Sequence, residues 1–352
     1  MARYRFLAAD LVSGEIRDEV PFGTVTFGRM LSGAPAFAAT IGVNEFRAVR
    51  SLLDPGRTVV YVERDRRIVA DGCIWPGHVQ PAEDRTLELG GGGLWSYFRR
   101  RLLLSTLSWS QVDQLQMFRD VIAWAQSQPG GNIGLQLGTE TSGVLRDDTW
   151  NWWEVKRIGD ALELFARRQG GFEFEVVSRW NSDRTAVERV LQLGYPRRGR
   201  RTDLVFDADV NLTDWGTLVS GDRIANRIVG IGAGEEQDML IATATDTNLL
   251  DTYPLLEDTI SHKDISREQT LAQHAQAELA RRRLPPTLPN IHIDPDARPS
   301  FSSYIPGDEV TVHIDDGWIQ YHGWARLIGW EMTVNRDGDE ELVGIIEQEA
   351  AA

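Results

Sequence analysis

The chain has 352 residues, 42% hydrophobic and 25% charged, which is the composition of a globular protein with room for two or three domains. Its single cysteine, Cys73, excludes an intrachain disulfide and a thiolate metal cluster. The net charge of −15 is uneven: residues 1–201 carry 27 basic and 24 acidic side chains, whereas residues 202–352 carry 10 and 28. An acidic half repels phosphate, which argues against duplex DNA wrapped on that surface. It suits a solvated face, a basic protein partner or a passage through which DNA slides without sticking. No run approaches the roughly 18 apolar residues that span a bilayer, and Met1–Phe6 has no apolar signal-peptide core. The expectation is a soluble chain made in the cytoplasm. All basic residues except Lys156 and Lys263 are arginine, a bias that fits a GC-rich genome.

The first hundred residues read as β-structure. Tyr4–Leu11, Glu15–Val20 and Thr24–Arg29 are separated by Ser13-Gly14 and by Pro21 and Gly23. Thr58–Glu63 and Arg67–Ala70 flank the charged tip Arg64-Asp65-Arg66, a hairpin pattern. Cys73 falls in the extension of the second strand and is read as a small buried hydrophobe. Thr86–Leu89 alternates and runs into four glycines. Short strands at this spacing predict a barrel or sandwich.

The period then changes. Val112, Leu115, Phe118, Ile122 and Ala125 share a helical face, with Ser110 as the candidate N-cap and Pro129-Gly130-Gly131 as the stop. Asp160–Gln169 predicts a shorter helix closed by Gly170. Gly171–Trp180 and Ala186–Leu193 predict a hairpin in which Glu173 and Glu175 lie on a solvated outer face. Arg197–Arg201 predicts an exposed linker.

The last third is β-structure around one well-marked helix. Ser266-x-x-Gln269 is a capping-box pattern, and Leu271, Ala275 and Leu279 stack on one narrow face. Arg281–Arg283 suits the negative end of the helix dipole, and Pro285-Pro286 forbids continuation. The small alanines predict close approach to a sheet. Val310–Ile314, Trp318–Tyr321, Ala325–Thr333 and Leu342–Ile346 supply strands, with Asp315-Asp316-Gly317 and Asp337-Gly338 as turns.

Candidate chemistry is sparse. Gly230-x-Gly232-x-Gly234 has its third glycine one residue too early for a dinucleotide fingerprint and is followed by Glu235-Glu236, so a strand end or bulge is expected. Asp207-x-Asp209-x-Asn211 begins like a calcium loop, but Leu212 and Leu218 stand where glycine and glutamate are needed. It is expected to be a turn. His313 and His322 could flank Asp315 as a metal set, although the intervening turn favours a plain hairpin. Glu154, Glu163, Glu173 and Glu175 are candidates from which a glycosidase carboxylate pair could come, but the alternation of Glu173 and Glu175 with Phe172 and Phe174 argues for an ordinary strand. No cofactor or metal is expected, and no enzymatic activity. The twelve tryptophans group as Trp150-Asn-Trp-Trp153 and Trp318…Trp324…Trp330. They serve a core, a protein interface or a carbohydrate site. Trp152, Trp153, Trp318 and Trp324 are the candidate interface residues.

The order of motifs carries more than any one of them. Tyr61-Val-Glu-Arg…Ile68-Val…Gly72…Ile74-Trp75, Leu94-Trp-Ser-Tyr-Phe98 and Gly170-Gly-Phe-Glu-Phe174 come first. Ala225-Asn-Arg-Ile-Val…Gly232-Ala-Gly-Glu235, Pro254-Leu-Leu-Glu257, Thr270-Leu…Ala277-Glu-Leu279 and Pro306-Gly-Asp-Glu-Val310 follow. This series, over roughly residues 4–345, resembles the minor tail proteins of actinobacterial siphophages, part of the tail-hub or baseplate-hub family of long-tailed phages. The resemblance implies a predominantly β, α+β protein with two β-barrel-like domains and an α+β insertion. The corresponding boundaries are 1–103, 104–200 and 201–352, the last with helix 266–283. It also implies a virion protein at the tail tip, whose homotrimer rings and closes the tail tube with six barrels. The implied partners are the distal tail protein, the tape-measure protein and tip or receptor-binding proteins, with genome DNA passing through the lumen unbound. The family carries no catalytic motif, so no active-site residue is transferred. A receptor- or glycan-binding tail protein is the alternative.

Overall fold

The computed structural model describes residues 2–79, 86–216, 224–282, 290–317 and 320–348. The chain is mostly β and divides into two compact units. One comprises Met1–Glu163, Phe172–Trp215 and Asn290–Ala352; the other comprises Leu164–Gly171 and Gly216–Pro289.

The first unit is organised by a 13-stranded sheet. Its path runs Leu212–Gly216, Asn290–Ile293, Glu340–Gln348, Gln320–Val334, Val25–Met30, Ala36–Gly42, Thr86–Gly92, Arg67–Val79, Thr58–Arg64, Tyr4–Asp10 and Ile16–Glu19. Arg201–Asp207 and Glu309–Asp315 branch from it. The path has two ends, so no barrel closes among the described residues. The 15-residue strand Gln320–Val334 makes this continuity possible. Along one edge it pairs first with Glu309–Asp315 and then with Val25–Met30, while its other edge takes Glu340–Gln348. The sequence divides this segment into two strands, Trp318–Tyr321 and Ala325–Thr333. Gly323 and Trp324 in fact continue the ladder, and Trp318 lies outside the described residues.

Aromatic side chains pack in the core of this unit. Trp95 packs against Phe174, Phe98 and Phe118, and Trp330 packs against Phe301 and Phe27. Cys73 is fully buried, as its apolar surroundings predict, and burial pushes its thiol pKa up. The helix Gln114–Ser127 buries Leu115, Phe118, Val121, Ile122 and Ala125. Its cap is Asp113, whose Oδ1 accepts from the Leu115 amide at 2.9 Å. Ser110 and Val112 belong instead to the strand Leu107–Asp113, which pairs with Leu145–Trp150. The apolar helical period overran the true boundary because a strand feeds directly into the helix.

The second unit is smaller and local. Arg227–Ile231 pairs antiparallel with Ile241–Thr245 and parallel with Glu257–Ser261. The helix Glu268–Arg282 lies on this sheet through Leu271, Ala275 and Leu279, which meet Ile228, Ala242 and Ala244 in two small clusters. The helix starts two residues after the expected Ser266, and the narrow small-residue face approaches the sheet as read. Gly230 shows how close the approach is: a Cβ there would sit 3.1 Å from Leu271 Cγ. Among the described residues no helix is long and apolar enough to cross a membrane.

Candidate functional site

Among the described residues of the first unit, the most exposed aromatic feature is a single turn. Trp152–Glu154 forms one 3-10 turn, capped reciprocally by the side chains of Asn151 and Glu154. Val155, which follows, has φ 45°, a left-handed conformation unusual for a β-branched residue. Such strain persists only where neighbours over-determine it, and it concentrates at functional positions. The neighbours here are explicit. The Trp152 amide donates to Thr106 Oγ1 at 3.2 Å, the Leu103 amide to the Lys156 carbonyl at 2.9 Å, and Leu102 bridges Arg157. Glu154 is further held by Lys156 at 3.1 Å.

Residues 102–106 therefore run antiparallel to residues 152–157 and present a shared apolar edge. Trp152 and Trp153 are 56% and 62% exposed, their rings edge-to-face with centroids 5.9 Å apart, and Leu104 beside them is 60% exposed. Val155 and Leu102 are also exposed. Indoles left in water next to aliphatic side chains, on a strained and doubly capped turn, have the properties of an interface anchor. Such a surface offers apolar area and two indole donors.

The other expected tryptophans divide. Trp324 is half-buried, with the Arg201 guanidinium 3.8 Å from its ring centroid in a cation–π contact. Trp330 is core, and Trp150 is buried beside Trp109. Trp318 lies outside the described residues. The structure thus places Trp152 and Trp153 together and sets Trp324 elsewhere on the long sheet.

The motifs with a chemical look resolve into backbone work. Gly230 sits under Leu271, and Gly234 has φ +108° where a Cβ would meet the Asp238 carbonyl at 2.2 Å. Asn211 is buried; its amide donates to the carbonyls of Val205 and Arg298, and its oxygen accepts from the Asp207 amide, which makes the Asp-rich run a turn into Leu212–Gly216. His313 and His322 face each other across the hairpin with ring centroids 5.1 Å apart, and Asp315 pairs with Gln320. Among the described residues no group of three or more His, Cys, Asp or Glu side chains is placed to hold a metal.

One reading from sequence is overturned. Glu175 does not face water, and Glu173 is only partly exposed. Glu175 is 2% exposed and accepts from Arg29 at 2.6 and 2.9 Å and from Arg198 at 3.2 Å. Arg326 forks onto Glu173, which also accepts from the Arg198 amide at 2.8 Å. The linker expected at Arg197–Arg201 is exposed at Arg197, Gly199, Arg200 and Arg201, but Arg198 is half-buried in this network and Arg201 begins a strand. Strand alternation identifies a face but not what covers it. Here the covering guanidiniums come from Arg29 and Arg326, far away in sequence. Two further buried polar ties hold the hairpin to the long sheet: Ser178 donates to Asp71 at 2.6 Å and Trp180 to Glu63 at 2.8 Å. Burial pushes the Asp71 carboxyl pKa up, while its bonds to Ser178 and the Leu94 amide oppose that rise.

The fold defines a class. No protein-family model and no curated protein sequence matches the chain. Solved structures do match along nearly its whole length. The 43 kDa tail protein of prophage MuSo2 from Shewanella oneidensis superposes with a TM-score of 0.64 at 12% identity, covering 98% of both chains. A prophage tail protein of Listeria monocytogenes gives 0.56 at 10% identity over 98% of this chain and 95% of its own. A tail protein of Neisseria meningitidis gives 0.55 at 17% identity over 97% of each. The chain has the fold of phage tail proteins.

Proposed function

We propose that this protein is a structural, non-enzymatic component of a phage tail, the hub at the tail tip of a long-tailed siphophage of actinobacterial type. The observation that carries this reading is the end-to-end likeness of fold to prophage tail proteins, 98% of both chains in the case of the Shewanella protein. The motif order read from the sequence points the same way. In this reading three copies form a ring that closes the tail tube, and the two barrel-like parts correspond to the N- and C-terminal arms of the long sheet, completed as barrel-like modules in the assembly. The distal tail protein, tape-measure protein and tip or receptor-binding proteins are the partners, and genome DNA passes through an acidic lumen during ejection. The turn Trp152–Glu154 supplies an anchor for one of these protein contacts. Sedimentation velocity of the purified chain over a concentration series tests the ring directly: a trimer is expected, and a monomer at every concentration would refute it.

A second reading, a receptor- or glycan-binding tail protein, is favoured by the same exposed indole pair. Glycan-array binding lost on Trp152→Ala would establish it, and a silent array would remove it.

A further inference from the structure

The first unit carries an open cleft of about 680 Å3 with four arginines on its wall: Arg3, Arg5, Arg66 and Arg184. Glu19, Glu63 and the Trp180 indole complete the lining. Arg5 occupies both acids, with Nε 2.9 Å from Glu19 and Nη1 3.4 Å from Glu63. The second oxygen of Glu63 accepts from Trp180 Nε1 at 2.8 Å. The guanidiniums of Arg3, Arg66 and Arg184 are left with no carboxylate partner among the described residues. Four arginines against two glutamates give the wall a charge of +2, on a chain whose net charge is −15.

The backbone around the cleft is built from two hairpin turns. Asp65 and Arg66 at the hairpin tip have φ 47° and 68°, and Arg184 has φ 58°. Each is a left-handed position normally left to glycine or asparagine. Three separate segments fix them: the Arg3 amide donates to Asp65 Oδ1 at 3.0 Å, the Asp65 amide to the Arg3 carbonyl at 2.9 Å, and the Arg184 guanidinium to the Arg66 carbonyl. These hydrogen bonds bring three segments, distant in the sequence, together on one wall of the cleft.

We propose that this cleft binds a phosphate ester of a sugar-sized molecule. A phosphate monoester brings a charge of about −1.5 to −2 and three acceptor oxygens, which matches the excess charge and can be shared among several guanidiniums. A single carboxylate brings half that charge and two oxygens. Trp180 supplies apolar surface for a ring attached to the phosphate. The volume lies within the roughly 300–1,000 Å3 of small-ligand sites. This site does not depend on the tail-hub reading.

Isothermal titration of the full chain at low ionic strength with glucose 6-phosphate, glucose, inorganic phosphate and tetraglutamate tests the assignment. Glucose 6-phosphate is expected to bind more tightly than the other three and to weaken as salt rises. Arg66→Gln and Arg184→Gln should each reduce its affinity about tenfold, the loss of one charge-assisted contact. Both side chains are exposed, so unchanged melting temperatures should show that the variants fold. Equal binding by the wild type and the double variant would overturn the proposal. So would glucose 6-phosphate binding no tighter than glucose or inorganic phosphate, or tetraglutamate binding tightest.

Discussion

In the first unit, strands from opposite ends of the sequence share one sheet and are tied to an inserted hairpin by buried ion pairs. In the second, a helix of small residues rests on three short strands that are its near neighbours in the chain. The Glu175–Arg29 bond spans 146 residues and the Glu173–Arg326 bond 153, whereas the helix–sheet contacts of the second unit fall within 55 residues of chain. The two regions use different physics as a result. Burying charge is costly, and it is tolerated in the first unit because each carboxylate is forked and further hydrogen-bonded. Such pairs specify which strands meet. The second unit instead relies on shape, with alanines and Gly230 allowing Leu271 and Leu279 to reach the sheet.

If that contrast is right, breaking the charge network should cost most. Glu175→Ala leaves Arg29 and Arg198 buried without their carboxylate, and urea unfolding followed by tryptophan fluorescence should show a loss of about 3–5 kcal/mol. A loss below about 1 kcal/mol would mean the network is dispensable. In the second unit, Leu271→Ala should cost about 2–4 kcal/mol through cavity formation. Hydrogen exchange should localise that loss to the strand Arg227–Ile231 and the helix Glu268–Arg282.

The units should also respond differently to acid. His274 is buried in the second unit, its ring centroid 4.7 Å from that of His262. Burial, with Arg168 and His262 nearby, lowers its pKa from 6.5 to about 3, against an opposing pull from Asp264. The folded state therefore binds fewer protons than the unfolded state between pH 6.5 and about 3, so stability is complete above pH 6.5 and falls as the pH drops through that window. His262, whose pKa is lowered chiefly by burial, acts in the same direction. His274→Phe should flatten the acid slope of helix protection in hydrogen exchange between pH 7 and 4, and an unchanged slope would remove His274 as its cause. The smallest effect on folding is expected at the exposed turn. Trp152→Ala with Trp153→Ala should change stability by no more than about 0.5 kcal/mol, while self-assembly or partner capture, read by mass photometry, is lost.

The same contrast explains what the sequence disclosed. The helix under Leu271, Ala275 and Leu279 was readable because its period, charge pattern and turn residues are consecutive. The hairpin Glu173–Trp180 and Val187–Gly194 was readable as well. The burial of Glu175 and the ion pairing of Glu173 were not, because strand alternation cannot announce that Arg29 and Arg326 will cover that face. Nor was the separate strand Leu107–Asp113, whose Val112 fits a helical stripe by coincidence of spacing. Trp152 and Trp153 stood out by type and adjacency. Their exposure depends on the strained Val155 and on Leu102 and Leu104 across the turn, a pairing with no local signature.

A cryo-EM reconstruction of the intact phage tail at side-chain resolution tests the central claim most directly. The account predicts this chain in a ring of three closing the tail tube, with Trp152 and Trp153 buried against a neighbouring subunit. Finding the chain absent from the virion, or present only outside the tail, would contradict it.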